Sequence, residues 1–387
     1  MQAASIRTSL VIIQPTPFCN IDCRYCYLPL RFDRTRLGLD QIKQIFGKLL
    51  TFPTIKDDVT IVWHAGEPLV LGVPYYENFF SEIERLTKGR LTIRHSMQTN
   101  ATLVTDAWCA FFKRWNVGLG VSVDGPKFIH DIHRKTRSGK GTYDQAVAGM
   151  QRLSANDIPF YVISVLTRDA ISNPDAMFDF YQRFDIRDVG FNIEEKEGVN
   201  GSPSLDRDLD DTLISDFFAR FVELMIERNF PIAVRELEEM LGAIRMLDRS
   251  GPLSHQNIPF GIITIDVKGN VYTFSPELVG FSSESYATFA IGNIFEATYE
   301  QLSESKTLKA MTADIGEGIE LCRRDCGYFG ICGGGTPSNK LFENGSFAST
   351  ETVYCRLTKK RVADFVLSTI ESRRGLIHDG KIDLSDF

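Results

Sequence analysis

The sequence predicts an α/β protein: an open partial (β/α)6 barrel, then a helical bridge and a small cysteine-rich domain. Two observations carry that expectation. Short apolar runs alternate with helical patterns through the first half of the 387 residues, and seven of the eight cysteines fall into two clusters, at 19–26 and 322–355. Parallel strands joined by right-handed helical crossovers give either a doubly wound sheet or a barrel, and six repeats suit an open partial barrel. In such folds the chemistry lies at the carboxyl ends of the strands.

Taken in order, strands are expected at 9–13, 59–63, 91–97, 117–123, 161–166 and 189–193, where apolar and β-branched residues cluster. Helical spacing fills the intervals at 39–50, 75–86, 106–115, 143–153 and 174–184. Within D-A-W-C-A-F-F-K-R-W, Asp106 reads as the helix cap and Cys109 as core packing. After N-G-S-P at 200–203 the pattern changes, with helices near 208–228 and 231–247, then a hairpin of 262–265 and 270–274 around Lys268-Gly269. A last helix is expected near 359–371. The implied divisions are a barrel at 1–200, a bridge at 201–260, a cysteine-rich domain at 261–372 and a loose polar tail at 373–387.

Composition narrows the partners. Hydrophobic residues make up 43% and charged residues 24%, as in a globular protein, and no apolar run approaches the about eighteen residues needed to cross a bilayer. A net charge of −7, with Arg and Lys scattered, argues against a nucleic-acid partner. Residues 1–10 contain Arg7 and no apolar core, so no signal peptide is expected and the chain is placed in the cytoplasm, where thiols stay reduced.

The first cluster reads C-N-I-D-C-R-Y-C, with Cys19, Cys23 and Cys26 spaced C-x3-C-x2-C and Tyr25 before the last thiol. Three thiolates on one short loop can ligate three irons of a cubane 4Fe–4S cluster and leave the fourth open to a small molecule. A disulfide with an odd thiol, or half a zinc site, explains less. W-H-A-G-E-P-L at 63–69 follows the second expected strand, Q-T-N at 98–100 the third, and S-V-D-G-P at 122–126 with H-D-I-H-R at 130–134 the fourth. The amides of Gln98 and Asn100 can both donate and accept. His130 and His133 lack a third ligand nearby and read as solvated or supporting positions. Cys322, Cys326, Cys332 and Cys355 imply a fully ligated metal site; a four-cysteine zinc knuckle is the rival, although its pairs usually have shorter gaps than C-x5-C.

Together these motifs resemble the radical S-adenosylmethionine (SAM) superfamily, with Ala65 in place of the first glycine of its Gly-Gly-Glu-Pro motif. The resemblance implies that the open iron holds the amino and carboxylate groups of SAM, and that the reduced cluster splits it to a 5′-deoxyadenosyl radical. It implies that Gly66 and Glu67 approach the SAM ammonium, that Ser122 and Arg134 reach its carboxylate, and that Asn100 and Asp124 lie near the ribose or substrate, with Tyr25 and Gln98 in the same cofactor site. The C-terminal segment resembles the SPASM domain, which usually carries seven cysteines for two auxiliary clusters. Phe274 and Thr336 stand at two of those positions, both belonging to the first auxiliary cluster. Cys322, Cys326, Cys332 and Cys355 match the second, so one auxiliary 4Fe–4S cluster is expected.

From Cys19 to about Glu371 the chain resembles radical SAM/SPASM maturases of ribosomal peptides. F-N-I-E-E-K-E-G at 191–198, T-F-S-P-E-L at 273–278 and S-N-K-L-F-E-N-G-S-F-A-S-T-E-T at 338–352 look most like the GrrM-type cyclophane-forming branch. The implied activity is that of an oxidoreductase that removes hydrogen from a side-chain Cβ of a small precursor peptide and joins that carbon to an aromatic ring. Rearomatisation then releases an electron, for which the auxiliary cluster is the expected acceptor or anchor. It also releases a proton, for which Glu194, Glu195 and Glu277 are the candidates, each equally explicable as a surface or salt-bridged acid. The reductant is expected to be a flavodoxin or ferredoxin. With eighteen residues before Cys19, no fused leader-binding domain is expected. Rival readings are thioether formation, sulfatase-type oxidation of Ser or Cys, and a non-catalytic iron–sulfur sensor that binds SAM.

Overall fold

The computed structural model describes residues 6–205, 211–247 and 254–372. Six parallel strands lie side by side in chain order: β1 (Leu10–Ile13), β3 (Asp58–Trp63), β4 (Thr92–Thr99), β5 (Gly118–Ser122), β7 (Tyr161–Leu166) and β8 (Asp188–Ile193). Helices Leu39–Leu49, Val73–Thr87, Asp106–Trp115, Tyr143–Ala155 and Pro174–Arg183 connect them, each within a few residues of its expected place. Two short antiparallel strands, β2 (Ile21–Cys23) and β6 (Arg134–Thr136), pair separately and bring Cys23 opposite Arg134.

The sheet continues beyond this unit on both sides. β9 (Ala233–Val234) adds in parallel to β8. On the other side β10 (Ile262–Ile265) adds in parallel to β1, and β11 (Asn270–Thr273) and β12 (Gly292–Asn293) follow antiparallel, giving a ten-stranded open sheet. The expected hairpin is present. Asp266 accepts the backbone N–H of Lys268 (2.8 Å) and Asn270 (2.9 Å), which closes its turn.

Alternation decides which faces are buried. In β3, Val59, Ile61 and Trp63 point into the core while their neighbours are half-buried. Trp63 is fully buried against Tyr76 and Phe80, both at 5.5 Å, and aromatic packing continues to Phe111 and Phe112. A second aromatic group of Phe191, Phe217 and Phe221 joins β8 to the bridging helix Asp211–Glu227.

Several expectations are corrected. The cap of the helix at 106 is Thr105, whose hydroxyl accepts from the Trp108 N–H, while Asp106 sits in the first turn. The bridge's second helix, Arg235–Arg245, starts after the unexpected strand β9. Between β12 and the C-terminal cysteines runs a 20-residue helix, Lys306–Asp325, that sequence patterning did not reveal. Its buried positions Leu308, Met311, Ile315, Gly318 and Cys322 form one narrow stripe on an otherwise polar helix. A π-helical turn, Arg356–Lys360, precedes the last helix, Arg361–Ser372. The expected polar tail at 373–387, and the first residues of the helix expected from 208, lie outside the described residues.

Candidate active site

The three cysteines of the first loop follow β1, and the other motifs arrive on successive strand ends. A chamber of about 220 Å³ is lined by Cys19, Cys23, Tyr25, Cys26, Gly66, Glu67, Gln98, Asn100, Ser122 and Arg134, together with Glu194, Glu195 and Glu277. Asp124 stands behind this wall. Thus the structure gathers the expected residues from widely separated segments.

Local chemistry holds them there. Glu67 is buried, and its carboxylate accepts from the Leu69 N–H (3.0 Å), the Thr99 hydroxyl (2.8 Å) and the Asn100 N–H (2.8 Å). Burial raises its pKa to about 7 despite these donors. The carboxylate thus fastens the β3 and β4 ends together while it lines the chamber. Gln98 donates to the Ser122 hydroxyl (2.7 Å), and Gly120 makes room for it, since a Cβ there would lie 1.9 Å from the Gln98 side-chain oxygen.

Arg134 is held from behind and still lines the chamber. Its guanidinium forks onto Asp124 at 2.9 and 3.0 Å, and Tyr25 donates to the same carboxylate. Asp124 also accepts from the Val165 N–H (2.9 Å). Burial alone would raise the Asp124 carboxyl, but Arg134 and its other donors hold it below the ordinary range. The fork is thus engaged by protein in a buried ion pair, leaving Nη1 4.0 Å from Cys23 Sγ. Asp124 accordingly organises the loop from behind.

His130 and His133 are buried rather than solvated. His130 accepts from the Asp124 N–H (3.3 Å), and burial keeps it neutral, with a pKa lowered to about 4. His133 packs 5.5 Å from the Tyr25 ring. Glu194 lines the chamber, but its carboxylate accepts the Ser204 N–H (2.9 Å) and hydroxyl, which fixes the turn after β8.

Glu195 and Glu277 are the other two proton-acceptor candidates, and the structure adds Glu197. All three are on the wall shared with a second chamber of about 460 Å³, which reaches Cys332. Burial raises the Glu195 carboxyl to about 8, opposed by a hydrogen bond from Asn339 and reinforced by Glu277. Burial, then Glu195 and Glu277, lift Glu197 well above the carboxylate range. Glu277 is raised by burial as well, and Ser275 donates to it. Sequence reasoning also passed over Tyr27 and His64, whose hydroxyl and Nε2 stand 3.5 Å apart on the first chamber's wall. The only available signals were the extra acid in E-E-K-E and the aromatic directly after Cys26.

The chemistry of the thiols fits clusters. Burial pushes the Cys23 thiol up to about 12 and raises Cys19 and Cys26, so bare thiolates are disfavoured there and a cationic group would be welcome. Among the described residues, no three His, Cys, Asp or Glu side chains converge as a lone metal ion requires; a cubane, with one iron per thiolate, spaces its ligands more widely. At the C-terminal site Cys322 lies in the last turn of the long helix, and Cys326 and Cys332 are near enough to both Cys322 and Cys355 to repel them as thiolates. Buried Lys340 donates to Cys322 Sγ (3.4 Å) and to the Gly318 carbonyl (2.8 Å). Phe274 and Thr336 offer no thiol where the usual pattern has two more. Anaerobically reconstituted protein is expected to hold about eight irons. Stoichiometric zinc at the C-terminal site, or about twelve irons, overturns the ligand assignment.

A three-cysteine loop at the carboxyl ends of parallel strands, beside a polar ligand chamber, defines an iron–sulfur enzyme with an exchangeable cluster position. Residues 13–180 match the family model described as the radical SAM superfamily, and the chain belongs to that superfamily. SAM and 4Fe–4S clusters are its cofactors. Over 375 residues it is 40% identical to sll1766, an uncharacterized protein of Synechocystis, covering 95% of this chain and 94% of the relative. It is 22% identical to the cysteine-type anaerobic sulfatase-maturating enzyme of Clostridium novyi, covering 91% and 93%. Among solved structures, anSMEcpe with bound AdoMet and Kp18Cys peptide superimposes with a TM-score of 0.78 at 19% identity, covering 95% of this chain and 100% of that one. No helix among the described residues is long and apolar enough to cross a membrane.

Proposed function

We propose that the protein matures a ribosomally made precursor peptide by joining an aromatic ring to a side-chain Cβ, forming a cyclophane. One observation carries this reading: Glu195, Glu197 and Glu277 stand on the wall common to the chamber at the first cysteine loop and the chamber at Cys332. Closing the bond and restoring aromaticity removes one electron and one proton, and acceptors for both belong beside the substrate. Two of the segments that resemble the cyclophane-forming branch supply this wall, through Glu195 and Glu197 and through Glu277, and the third adds Ser338 and Asn339 to the second chamber.

When bound, SAM at the reduced cluster supplies the 5′-deoxyadenosyl radical that takes the first hydrogen. Cys19, Cys23 and Cys26 hold that cluster, and Gln98, Asn100, Ser122 and the Gly66 backbone offer hydrogen bonds to the cofactor. Cys322, Cys326, Cys332 and Cys355 hold the auxiliary cluster, with Cys332 on the chamber wall. The proton is accepted by an ionised carboxyl, and an acid raised to about 8, as Glu195 is, both takes and passes on a proton near neutrality. The peptide bound to anSMEcpe, a fold neighbour, supports a peptide substrate.

A second reading, oxidation of a Ser or Cys side chain to formylglycine, has the near full-length similarity to the sulfatase-maturating enzyme in its favour. Coexpression with a cysteine-free variant of a small peptide encoded beside the gene separates the two. The expected product has lost two hydrogens per crosslink, resists reduction and thiol alkylation, and fails to form when the acceptor aromatic is replaced by Ala. With the unaltered peptide, a carbon–sulfur bond with unsubstituted rings by NMR rejects the cyclophane, and in either peptide an aldehyde that reacts with hydrazide selects formylglycine.

A further inference from the structure

We propose that the surface around the first cysteine loop docks an acidic one-electron donor protein, held by Arg24, Arg34 and Arg137 around an exposed Phe32. The chain carries a net charge of −7, yet these three arginines are exposed and none pairs with a described carboxylate within 4.0 Å. They are positioned by other means. Arg34 and Arg137 lie over the Phe18 ring at 4.6 and 4.3 Å, and Arg137 also lies 4.7 Å from the Phe32 centroid. Arg31 covers Phe32 at 5.5 Å. An aromatic face orders a guanidinium without neutralising it, so the charge remains available to a partner.

The acids nearby are already engaged. Asp22 is paired with Arg31 at 2.6 Å, and Asp33 accepts from the Thr35 N–H and hydroxyl at 2.8 and 2.7 Å. Phe32 is 55% exposed and Leu30 48%, giving an apolar centre with a cationic rim. This surface is wired to the cysteine ligands: Arg137 donates to the Cys19 carbonyl (2.6 Å), the Cys19 N–H donates to the Arg31 carbonyl (3.1 Å), and Arg24 lies between Cys23 and Cys26.

A one-electron donor needs close approach to its acceptor and no bond made or broken. One electron leaves the donor's reduced flavin or iron–sulfur group and enters the cluster on Cys19, Cys23 and Cys26. Opposite charge steers such an encounter and makes it salt-sensitive. The inference rests on the loop's cluster and not on the identity of the peptide product, so the two fail separately.

Calorimetric titration of the anaerobically reconstituted full chain with an acidic flavodoxin tests it. Arg24→Glu/Arg34→Glu is expected to weaken binding at least about tenfold at low salt and to abolish its ionic-strength dependence. Reduction of the cluster by dithionite, read by EPR, stays unchanged. Arg90→Glu, just before β4 and so at the opposite end of the strands, leaves flavodoxin affinity unaltered. Should the double variant fail to reconstitute, Phe32→Ala and Arg34→Gln are read in the same titration and are expected to weaken it several-fold. Unchanged flavodoxin affinity in these variants overturns the proposal; so does loss of precursor-peptide affinity with flavodoxin binding intact, which would assign the surface to the peptide.

Discussion

Simultaneous replacement of Cys19, Cys23 and Cys26 by Ala is expected to abolish formation of 5′-deoxyadenosine, a loss of at least ~10³-fold, the scale reached when a group essential to the chemical step is removed. In the proposed assignment their loop holds the cluster that receives the incoming electron, and Gln98, Asn100 and Ser122 line the adjoining chamber. Cys326→Ala or Cys332→Ala should behave differently. Cys332 lines the far chamber and Cys326 lies with it near Cys355, so peptide modification should fall further than uncoupled SAM cleavage. Chromatography of the nucleoside, with mass spectrometry of the peptide, reads both outcomes. Persistent 5′-deoxyadenosine in the triple variant rejects the site, and circular dichroism identifies a variant that has merely unfolded.

Gly66→Ala is expected to be nearly as severe through backbone geometry. Gly66 has φ of +151°, and an added Cβ would lie 2.2 Å from the Thr16 carbonyl oxygen and 3.1 Å from that of Phe18. Both neighbours are backbone leading straight into Cys19, and the Glu67 N–H donates to the Phe18 carbonyl at 2.9 Å. Relief requires the loop to move away from β3. Overpacking together with a strained φ should cost about 3 kcal/mol or more. The variant should melt lower, retain less iron at the first site and bind SAM weakly. Gly47→Ala is the control: no atom lies within 4 Å of its Cβ position in helix Leu39–Leu49, and alanine there should be neutral or stabilising by up to about 1 kcal/mol. Melting and SAM affinity equal to the parent in Gly66→Ala would refute the argument.

The strand-and-helix alternation was legible because each unit has its own period. Tyr161–Leu166 and Asp106–Trp115 occur at their expected limits, since β-branched alternation marks one and an apolar helical face the other. That the first cysteine loop and the strand-end polar residues would share one chamber was legible from motif spacing. What escaped depends on tertiary partners. Lys306–Asp325 buries too narrow a stripe to stand out, and β9 is two residues that become a strand only against β8. The fork between Arg134 and Asp124 gave no sign in the sequence, because the two residues are ten apart and meet only when the chain folds back at β6. Glu197 carries no local signal separating it from Lys196. Its significance comes from Glu277, 80 residues away, sharing the same buried wall.

The parallel pairing of β10 with β1 has a consequence for how the protein comes to life on the ribosome. β1 emerges early, but its register partner, Leu10 to Ile262 through Ile13 to Ile265, is translated only after the barrel and bridge. Gln14, one residue beyond β1, accepts from the Val267 N–H at 3.4 Å and donates to the Ala65 carbonyl at 2.7 Å, joining the late hairpin to the turn at Gly66. A nascent chain that stops before the hairpin therefore leaves one edge of β1 bare, a template for aggregation, beside a cysteine loop not yet braced. The earliest-made cysteines thus gain their finished support only from strands translated more than 200 residues later.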